Sequence, residues 1–493
     1  MPTTADPRLL AARKALLDAG QAHVARALDA LCDAQSDAQS DAQSLAPRDA
    51  LLAEVESVDW PELSRLIETY VRKKPSFAPP SDLAPATYFP ALPEPAQAPL
   101  YARARARGEQ LLRQGAVAAF TVAGGQGTRL GFDAPKGTFP ATPVRRLTLF
   151  EVFARQLLLV RRKYGRPAPW YVMTSPANDA DTRAYFERHE YFGLDPADVR
   201  LFPQAMMPAI DRASGLVLLA SPQALALSPN GHGGSLKALW TSGALADMTA
   251  RGVAQISYVQ VDNPLVRVLD PLFIGLHDLE AAQMSSKMVA KAHALERVGV
   301  LCQTAGRTVV IEYSDLPESL AREVKPDGSL RFNAGSVAIH MIRADFVQAL
   351  NTAPGGFALP YHRADKKVPC LDPHLGLPIQ PKEPNAVKLE TFVFDALALC
   401  DRSIVLETLR EEEFAPIKNA SGPGVVDSPE TSARLQVERA ARWLEKAGVR
   451  VPRKADGSAD ASIEILPDSA AEPDDLRAAT LPNAIAPGAT FVI

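Results

Sequence analysis

The sequence has few cysteines and no long apolar run. Its 493 residues include four cysteines, and none of them forms a CxxC pair, which argues against a zinc site or a disulfide framework. Charged residues such as Arg8, Arg13 and Asp18 interrupt the stretch where a signal peptide needs an apolar core. Because no segment offers about 18 consecutive apolar residues, we expect no transmembrane helix and a cytoplasmic location.

The sequence also lacks a strong excess of either charge. The net charge is −4 and the pI is about 6.1, so the composition indicates neither nucleic acid nor an anionic membrane as a partner. Hydrophobic residues make up 47% and charged residues 22% of the chain, which is ordinary for a globular protein with a core. A phosphate-bearing ligand would therefore have to meet positive charge that is concentrated locally.

The N-terminal region, residues 1–98, is predicted to be helical. Apolar residues recur at helical spacing over 7–31 and 49–73. Between these segments the tetrapeptide DAQS is repeated three times in 33–44, too short a period for a solenoid. We interpret the repeat as a helix extension or a solvated linker. A proline-rich connector over 74–97 follows.

The next region, residues 99–425, alternates strands and helices. A helix at about 99–114 precedes the strand GAVAAFTV (115–122), and further parallel strands are predicted at 169–175 and 253–263. Thr148 and Glu151 are spaced as a capping box at the start of a helix, whose apolar face is Leu149, Phe150, Phe153, Leu157 and Val160. We therefore predict an α/β fold with a doubly wound, Rossmann-like sheet and helices on both faces. Residues 426–493 are predicted to form a small β-rich C-terminal domain.

A glycine-rich loop follows the first strand directly. It reads AGGQGTRLGFDAPKG (123–137), in which Gly124, Gly125 and Gly127 allow the backbone N–H groups to approach a phosphate. Arg129 and Lys136 add positive charge, which suits a triphosphate. The loop is not a P-loop, since its lysine follows proline, and the glycine spacing does not fit a dinucleotide fingerprint. Instead of binding phosphate, the glycines could form a tight strand-to-helix turn, and the two cations could form surface salt bridges.

Asp262 ends the apolar strand VAQISYVQVDN. Ligands of parallel sheets bind beyond the carboxyl ends of the strands, and a carboxylate there can hold Mg²⁺ together with a phosphate. A helix N-cap is the alternative role. We therefore expect Asp262 to be a metal ligand and a nucleotide-binding residue.

The motif GGQGTRLG followed by PKG resembles the signature of the UDP-sugar pyrophosphorylase family, most closely its UDP-N-acetylglucosamine pyrophosphorylase branch. Other blocks follow in the family's order, and the resemblance covers about residues 100–425. The blocks include FPQAMMPAID (202–211), SPNGHGGSLKAL (228–239), FNAGSVAIH (332–340) and FAPIKNA (414–420). The resemblance implies a Rossmann-like nucleotidyltransferase domain of the GT-A-like type, with a central mixed sheet and helices on both faces. It also implies an enzyme in which a sugar 1-phosphate attacks the α-phosphorus of UTP, with Mg²⁺ or Mn²⁺ as cofactor.

The resemblance also assigns roles to single residues. It makes Lys418 a third cation for the phosphates, beside Arg129 and Lys136, and Gln204 a contact of the uracil base. The backbone at Gly231 could hydrogen-bond to the edge of the same base. With His232, the sequence here resembles the GHG motif of UDP-glucose pyrophosphorylases. Sugar contacts are implied for Glu312, Asn333 and Gly335. For Gln204, Glu312 and Asn333, ordinary loop, capping or turn roles are the alternatives.

Two alternatives to the N-acetylglucosamine branch remain at this stage. The first is a UTP–glucose-1-phosphate or broad-specificity UDP-sugar uridylyltransferase, which His232 and Ser336 favour because both depart from the N-acetylglucosamine branch. The second is a non-catalytic sugar-nucleotide-binding protein. The presence of Arg129, Lys136 and Lys418 together with Asp262 argues against the second alternative.

Overall fold

The computed structural model describes residues 6–37, 42–73, 79–373 and 375–493. Residues 38–41 of the DAQS repeat and residues 74–78 of the proline-rich connector lie outside the described residues. None of the described helices is long and apolar enough to cross a membrane.

The chain forms fourteen α-helices and twenty-one strands in the described residues. The helices are α1 Pro7–Asp18, α2 Ala22–Asp37, α3 Ala42–Glu56, α4 Trp60–Leu66, α5 Ala98–Gln114, α6 Leu149–Tyr164, α7 Asp179–Arg188, α8 Gly234–Thr241, α9 Ala244–Ala250, α10 Pro271–Leu279, α11 Glu318–Ala321, α12 Ala344–Asn351, α13 Arg410–Glu413 and α14 Pro429–Lys446. The strands are β1 Ala84–Pro85, β2 Val117–Val122, β3 Trp170–Thr174, β4 Val199–Pro203, β5 Met206–Pro208, β6 Ile210–Asp211, β7 Leu219–Ser221, β8 Ala224–Leu225, β9 Leu227–Pro229, β10 Gln255–Gln260, β11 Met284–Ala290, β12 Val300–Thr304, β13 Arg307–Ile311, β14 Ala334–Arg343, β15 His362–Lys366, β16 Cys370–Leu371, β17 Pro378–Ile379, β18 Ala386–Glu390, β19 Ser403–Glu407, β20 Ser462–Glu464 and β21 Thr490–Val492.

The chain divides into two compact units. The smaller unit comprises Met1–Phe77, Ala205–Gly234 and Leu359–Val393, and the larger unit comprises Ala78–Gln204, Ser235–Ala358 and Phe394–Ile493. The boundaries of these units differ from those of the three predicted regions. Segments of the predicted catalytic region belong to the smaller unit, and residues 426–493 belong to the larger one.

In its described residues, the smaller unit contains the N-terminal helices, one three-stranded antiparallel sheet and three two-stranded antiparallel pairs. The prediction of two long helices was wrong in its bounds. Gly20 has a left-handed backbone (φ 71°) and separates α1 from α2. Asp59 caps the new helix α4 by accepting a hydrogen bond from the Glu62 N–H. Apolar side chains of these helices, such as Leu16 and Leu52, form one buried core with Val217 and Val387 of the same unit.

The larger unit is built on a ten-stranded mixed sheet. Strands β10, β2, β3 and β4 are adjacent and parallel, which confirms the predicted parallel strands β2, β3 and β10 and adds β4 to them. Strand β14 pairs antiparallel with β10 and β11, so the sheet is mixed. No residue of β2, β3 or β10 is exposed, which shows that both faces of the central strands are covered.

Helix α6 follows the prediction closely. Its predicted apolar face is fully buried. The Thr148 side chain caps the helix by accepting from the Glu151 N–H at 3.3 Å. The Glu151 carboxylate, however, accepts hydrogen bonds from Arg155 one turn later, at 2.9 and 3.0 Å. The N-cap prediction is therefore confirmed, whereas the reciprocal half of the capping box is replaced by an ion pair.

The C-terminal segment, residues 426–493, has the two predicted short strands, β20 and β21, which pair in parallel. Its largest element is α14, which the sequence reasoning missed, so the segment is mixed rather than β-rich. The signal was present in the sequence. Ser428 and Thr431 form a reciprocal capping box, and Pro429 occupies the first turn of the helix.

Candidate active site

The predicted phosphate loop and Asp262 lie at one edge of the large sheet. Strands β2 and β10 end side by side, with Val122 paired to Gln260. The glycine-rich loop leaves β2 at this point, and Asp262 follows β10 by two residues. Strands β3 and β4 end at the same edge, with Thr174 paired to Pro203. This is the carboxyl edge of the parallel strands, where such sheets bind ligands.

A buried asparagine that the sequence reasoning missed fixes the glycine-rich loop. The Asn178 side chain donates to the backbone carbonyls of Ala123 and Gly125, at 3.1 and 3.3 Å. Its Oδ1 accepts from the Ser175 N–H at 2.7 Å, and the residue is 1% exposed. Asn178 follows β3 by four residues, so its position beyond a predicted strand was the signal available in the sequence.

Gln204 lies against the first glycine of the loop. Its backbone N–H donates to the Thr174 carbonyl at 2.9 Å, immediately after β4. A methyl group added at Gly124 would come within 2.7 Å of Gln204 Nε2, so a larger residue at Gly124 would displace the Gln204 amide. The structure thus brings these two predicted nucleotide-binding residues together.

Lys136 and Asp262 form an ion pair at this edge. The Lys136 Nζ lies 3.3 Å from Asp262 Oδ2, and the two side chains are 15% and 14% exposed. The Lys136 backbone N–H donates to the Gly125 carbonyl at 3.1 Å, so the end of the glycine-rich loop is hydrogen-bonded to its beginning. The pair therefore joins the end of the glycine-rich loop to the end of β10.

Lys418 reaches the same place on a third segment of the chain. The Ile417 N–H donates to the Asp262 carbonyl at 2.9 Å, and the Ala420 N–H donates to the Arg129 carbonyl at 3.1 Å. Lys418 lies between these two anchored residues, and Arg129 itself has an exposed side chain. The three predicted cations thus lie on two segments that are hydrogen-bonded to each other and to Asp262.

Asp427 is a further carboxylate that the sequence reasoning missed. Its backbone carbonyl accepts from the N–H groups of Lys418 and Asn419, at 2.7 and 3.0 Å. Burial raises the pKa of Asp427, and the charge of Asp262 raises it further, whereas Lys418 lowers it. Asp427 therefore belongs to the same electrostatic cluster as Lys418 and Asp262.

The predicted sugar-binding residues form a second group in the larger unit. The Asn333 carbonyl accepts from the Lys291 N–H at 2.9 Å, and Gly335 pairs with Val289 on β11. A methyl group added at Gly299 would lie 3.3 Å from Glu312 Oε1, and the Gly299 carbonyl accepts from Ser336 at 2.8 Å. Gly299 therefore links the two predicted blocks, and the structure places Glu312 close to the FNAGS segment.

The turn that contains Gly231 and His232 belongs to the smaller unit. Gly231 has φ 82°, and a methyl group there would come within 2.3 Å of the Thr391 carbonyl, so the turn requires glycine. The Val393 N–H donates to His232 Nδ1 at 3.2 Å. Burial and the neighbouring His362 lower the pKa of His232 to about 4. The imidazole is therefore neutral near pH 7, and because Nδ1 accepts this bond, the ring proton is on Nε2.

This lowered pKa predicts a pH dependence of stability. In the unfolded chain a histidine binds a proton below about pH 6.5, whereas folded His232 does so only near pH 4. Folding therefore becomes less favourable as the pH falls through this window, and the loss is complete below the folded pKa. Between about pH 7.5 and about pH 5, the unfolding free energy of the unsubstituted protein should fall by about 2 kcal/mol more than that of the His232→Asn variant.

Chemical denaturation at the two pH values measures this difference. The exposed His293 offers a matched control, since His293→Gln should leave the acid sensitivity unchanged. Equal acid sensitivity of the His232→Asn variant and the unsubstituted protein would show that His232 titrates normally.

The donors at the sheet edge fit a hard divalent cation. No group of three or more histidine, cysteine, aspartate or glutamate side chains that could hold a metal occurs in the described part of the chain. Mg²⁺ does not require one, because it is commonly held by one or two carboxylates together with water and substrate phosphates. Asp262, with Asp427 in the same electrostatic cluster, supplies such carboxylate donors.

An α/β fold with a glycine-rich loop, three cations and a carboxylate at the carboxyl edge of its sheet is typical of nucleotidyltransferases, which act on nucleoside triphosphates. A family model described as UTP--glucose-1-phosphate uridylyltransferase matches residues 96–446. The chain therefore belongs to this family of uridylyltransferases, which confirms the resemblance seen in the motifs. Membership implies a divalent metal ion in the reaction.

Individual relatives agree with the family assignment. The UDP-N-acetylhexosamine pyrophosphorylase-like protein 1 of Homo sapiens is 40% identical over 340 residues, which span 68% of this chain and 66% of that protein. The UDP-N-acetylglucosamine pyrophosphorylase of Saccharomyces cerevisiae is 36% identical over 351 residues, 70% of this chain and 73% of that one. The crystal structure of the enzyme of this name from Trypanosoma brucei, in complex with an inhibitor, has a TM-score of 0.81 at 25% identity and covers 98% of this chain and 99% of that one.

Proposed function

We propose that the chain transfers the uridylyl group of UTP to N-acetylglucosamine 1-phosphate, forming UDP-N-acetylglucosamine and pyrophosphate. The observation that carries the proposal is the Lys136–Asp262 pair, which joins the glycine-rich loop to the end of β10 beside the Lys418 segment. Relatives named UDP-N-acetylglucosamine pyrophosphorylase or diphosphorylase are 33–36% identical to this chain. We assign Mg²⁺ or Mn²⁺ as the metal ion.

The reaction asks little covalent chemistry of the protein. The second pKa of a phosphate monoester is about 6, so the sugar phosphate is already a nucleophile near neutral pH and no side chain has to accept a proton. The protein must hold two polyanions in line and neutralise the charge of the departing pyrophosphate. We assign the first task to the loop backbone at Gly124, Gly125 and Gly127, and the second to Arg129, Lys136 and Lys418.

The metal ion would be held by Asp262 together with the triphosphate. When bound, it would neutralise charge on the phosphate oxygens. The Lys136 ammonium lies 3.3 Å from the Asp262 carboxylate and keeps it beside the loop that receives the phosphates. We assign Gln204, next to Gly124, to the base, and we propose Gly231 and His232 as further nucleotide contacts. The cytoplasmic location, the absence of nucleic-acid and membrane partners, and the domain boundaries after residues 98 and 425 stay predictions.

The sugar assignment rests on the FNAGS segment and on Glu312. Asn333 and Glu312 offer amide and carboxylate groups to sugar hydroxyls and to the acetamide N–H, and we assign Gly335 to the same sugar pocket. A pocket that accommodates an acetamido group also admits glucose and leaves a small unfilled volume. A glucose-specific enzyme would close this space and exclude the acetamide sterically.

We therefore expect a preference for N-acetylglucosamine 1-phosphate over glucose 1-phosphate of roughly 10- to 1000-fold in kcat/KM, because one methyl contact and one hydrogen bond are worth a few kcal/mol. The measurement is pyrophosphate release with UTP and each sugar phosphate. A tenfold or greater preference for glucose 1-phosphate would favour the alternative that His232 and Ser336 suggest, a glucose-type uridylyltransferase. No pyrophosphate with either sugar would favour a non-catalytic sugar-nucleotide-binding protein.

A further inference from the structure

Helix α14 presents three polar side chains on one face. Ser432, Gln436 and Arg439 are spaced by four and three residues, which places them on one side of an α-helix. Ser432 is 1% exposed. The Arg439 guanidinium lies over the Trp443 ring, at 4.9 Å from its centroid. This face is therefore packed against the larger unit rather than turned to solvent.

Each of these side chains donates to the backbone of a different segment. The Ser432 hydroxyl donates to the Ala415 carbonyl at 2.7 Å, and Gln436 Nε2 donates to the Ala141 carbonyl at 2.9 Å. Arg439 donates to the carbonyls of Leu265 and Glu412, both at 3.1 Å. Gln436 Nε2 also lies 3.3 Å from the Ser432 hydroxyl, so the first two contacts are connected.

These segments are the ones that carry the proposed phosphate and metal residues. Ala415 precedes Lys418 by three residues, Ala141 follows Lys136 by five, and Leu265 follows Asp262 by three. One helix face is thus hydrogen-bonded to all three segments that carry Lys418, Lys136 and Asp262.

The Asn263 side chain joins two of these segments directly. The Asn263 side chain donates to the Glu413 carbonyl at 2.6 Å and accepts from the Ala415 N–H at 3.1 Å. Ala415 is therefore held on both sides, by Asn263 through its N–H and by Ser432 through its carbonyl. The Glu413 carboxylate is fixed in turn by the buried Lys287, at 2.6 and 2.8 Å. Little freedom remains in the backbone that leads to Lys418.

We propose that Ser432, Gln436 and Arg439 are positioning residues of the uridylyl transfer, acting through the segments that carry Lys418, Lys136 and Asp262. This inference rests on the proposed function of those three residues. Residues 426–493 are then part of the catalytic machinery and not a separable appendage. Because misplacement of a reacting group by about 1 Å can cost a hundredfold in rate, the loss of one such hydrogen bond should be visible in kcat.

Ser432→Ala in the full chain provides the sharpest test, because it removes one oxygen atom. We expect kcat to fall about tenfold, while the KM for UTP changes by less than about twofold and the melting temperature by less than about 2 °C. Ser432→Thr keeps the hydroxyl and should restore most of the rate. In a Lys418→Ala background, Ser432→Ala should lower kcat by less than about twofold, because the lysine through which it acts is missing.

Arg434→Ala is the matched control, since Arg434 is an exposed residue of the same helix. Wild-type kcat in Ser432→Ala, an equal loss in Arg434→Ala, or a loss that multiplies in full with Lys418→Ala would overturn the proposal. If Ser432→Ala melts early, Gln436→Met, which removes the donor to Ala141, decides in its place by the same kcat criterion. Full activity of Lys418→Ala would refute the role assigned to Lys418, and the kcat values of the Ser432 and Gln436 variants against the control would then decide whether the helix positions the site.

Discussion

Replacing Asp262 by asparagine is expected to lower kcat by about 100-fold or more, the scale on which electrostatic and metal-assisted stabilisation of a transition state is lost. The substitution keeps the shape of the side chain but removes the negative charge that pairs with Lys136 at 3.3 Å. A neutral amide is a poor ligand for a hard divalent cation bound with phosphate. Steady-state rates with UTP and N-acetylglucosamine 1-phosphate measure the effect.

Asp133→Asn is the matched control, because Asp133 is an exposed carboxylate of the same glycine-rich loop. It should retain the rate to within about twofold, as expected for a surface substitution away from the chemistry. Chelation of divalent cations should abolish the activity of the unsubstituted protein. Full activity in excess chelator, or in Asp262→Asn, would remove the metal role assigned to Asp262.

Replacing Lys136 by alanine is expected to impair catalysis far more than folding. The charge of Lys136 should matter most as pyrophosphate departs, so we expect a loss of about 100-fold in kcat. A partly exposed ion pair contributes about 1 kcal/mol or less to stability, so the melting temperature should change by only a few degrees. Parallel thermal melts and rate measurements compare the two effects.

Lys454→Ala serves as the control for this variant, because it removes an exposed lysine in the C-terminal segment of the same unit. It should leave both the rate and the melting temperature unchanged. An unaltered rate in Lys136→Ala, or a collapse of its melting temperature, would mean that Lys136 has a structural role instead.

The parts of the site that could be predicted from sequence are those encoded locally. The glycine-rich loop, Lys136 and Asp262 follow strands whose apolar runs are easily recognised, and the parallel pairing of β2 and β10 brings their ends together. The alternation of strands and helices predicts that these strands are parallel. Parallel strands have their carboxyl ends at a common edge of the sheet. The resemblance to the family added Gln204 and Lys418, which no local pattern identifies.

The contacts that fix the site could not be predicted because they join distant parts of the chain. Asn178 supports the glycine-rich loop across 53 residues from Gly125, and Gln436 bonds to Ala141 across 295 residues. Such side-chain-to-carbonyl bonds leave no periodic signal in the sequence. The bounds of the N-terminal helices were missed for a different reason. Helical spacing continues across Gly20, where only the left-handed backbone ends α1.

The most direct test of the account is phosphorus NMR of the full chain with UTP, N-acetylglucosamine 1-phosphate and Mg²⁺. Attack on the α-phosphorus predicts UDP-N-acetylglucosamine and pyrophosphate in equal amounts, with no UDP formed. The products should appear at a rate that falls in Lys136→Ala and Asp262→Asn and stays unchanged in Lys454→Ala. Release of UDP and inorganic phosphate would mean that water attacks the γ-phosphorus instead, and the absence of any product would contradict the assignment of a uridylyltransferase site to this edge of the sheet.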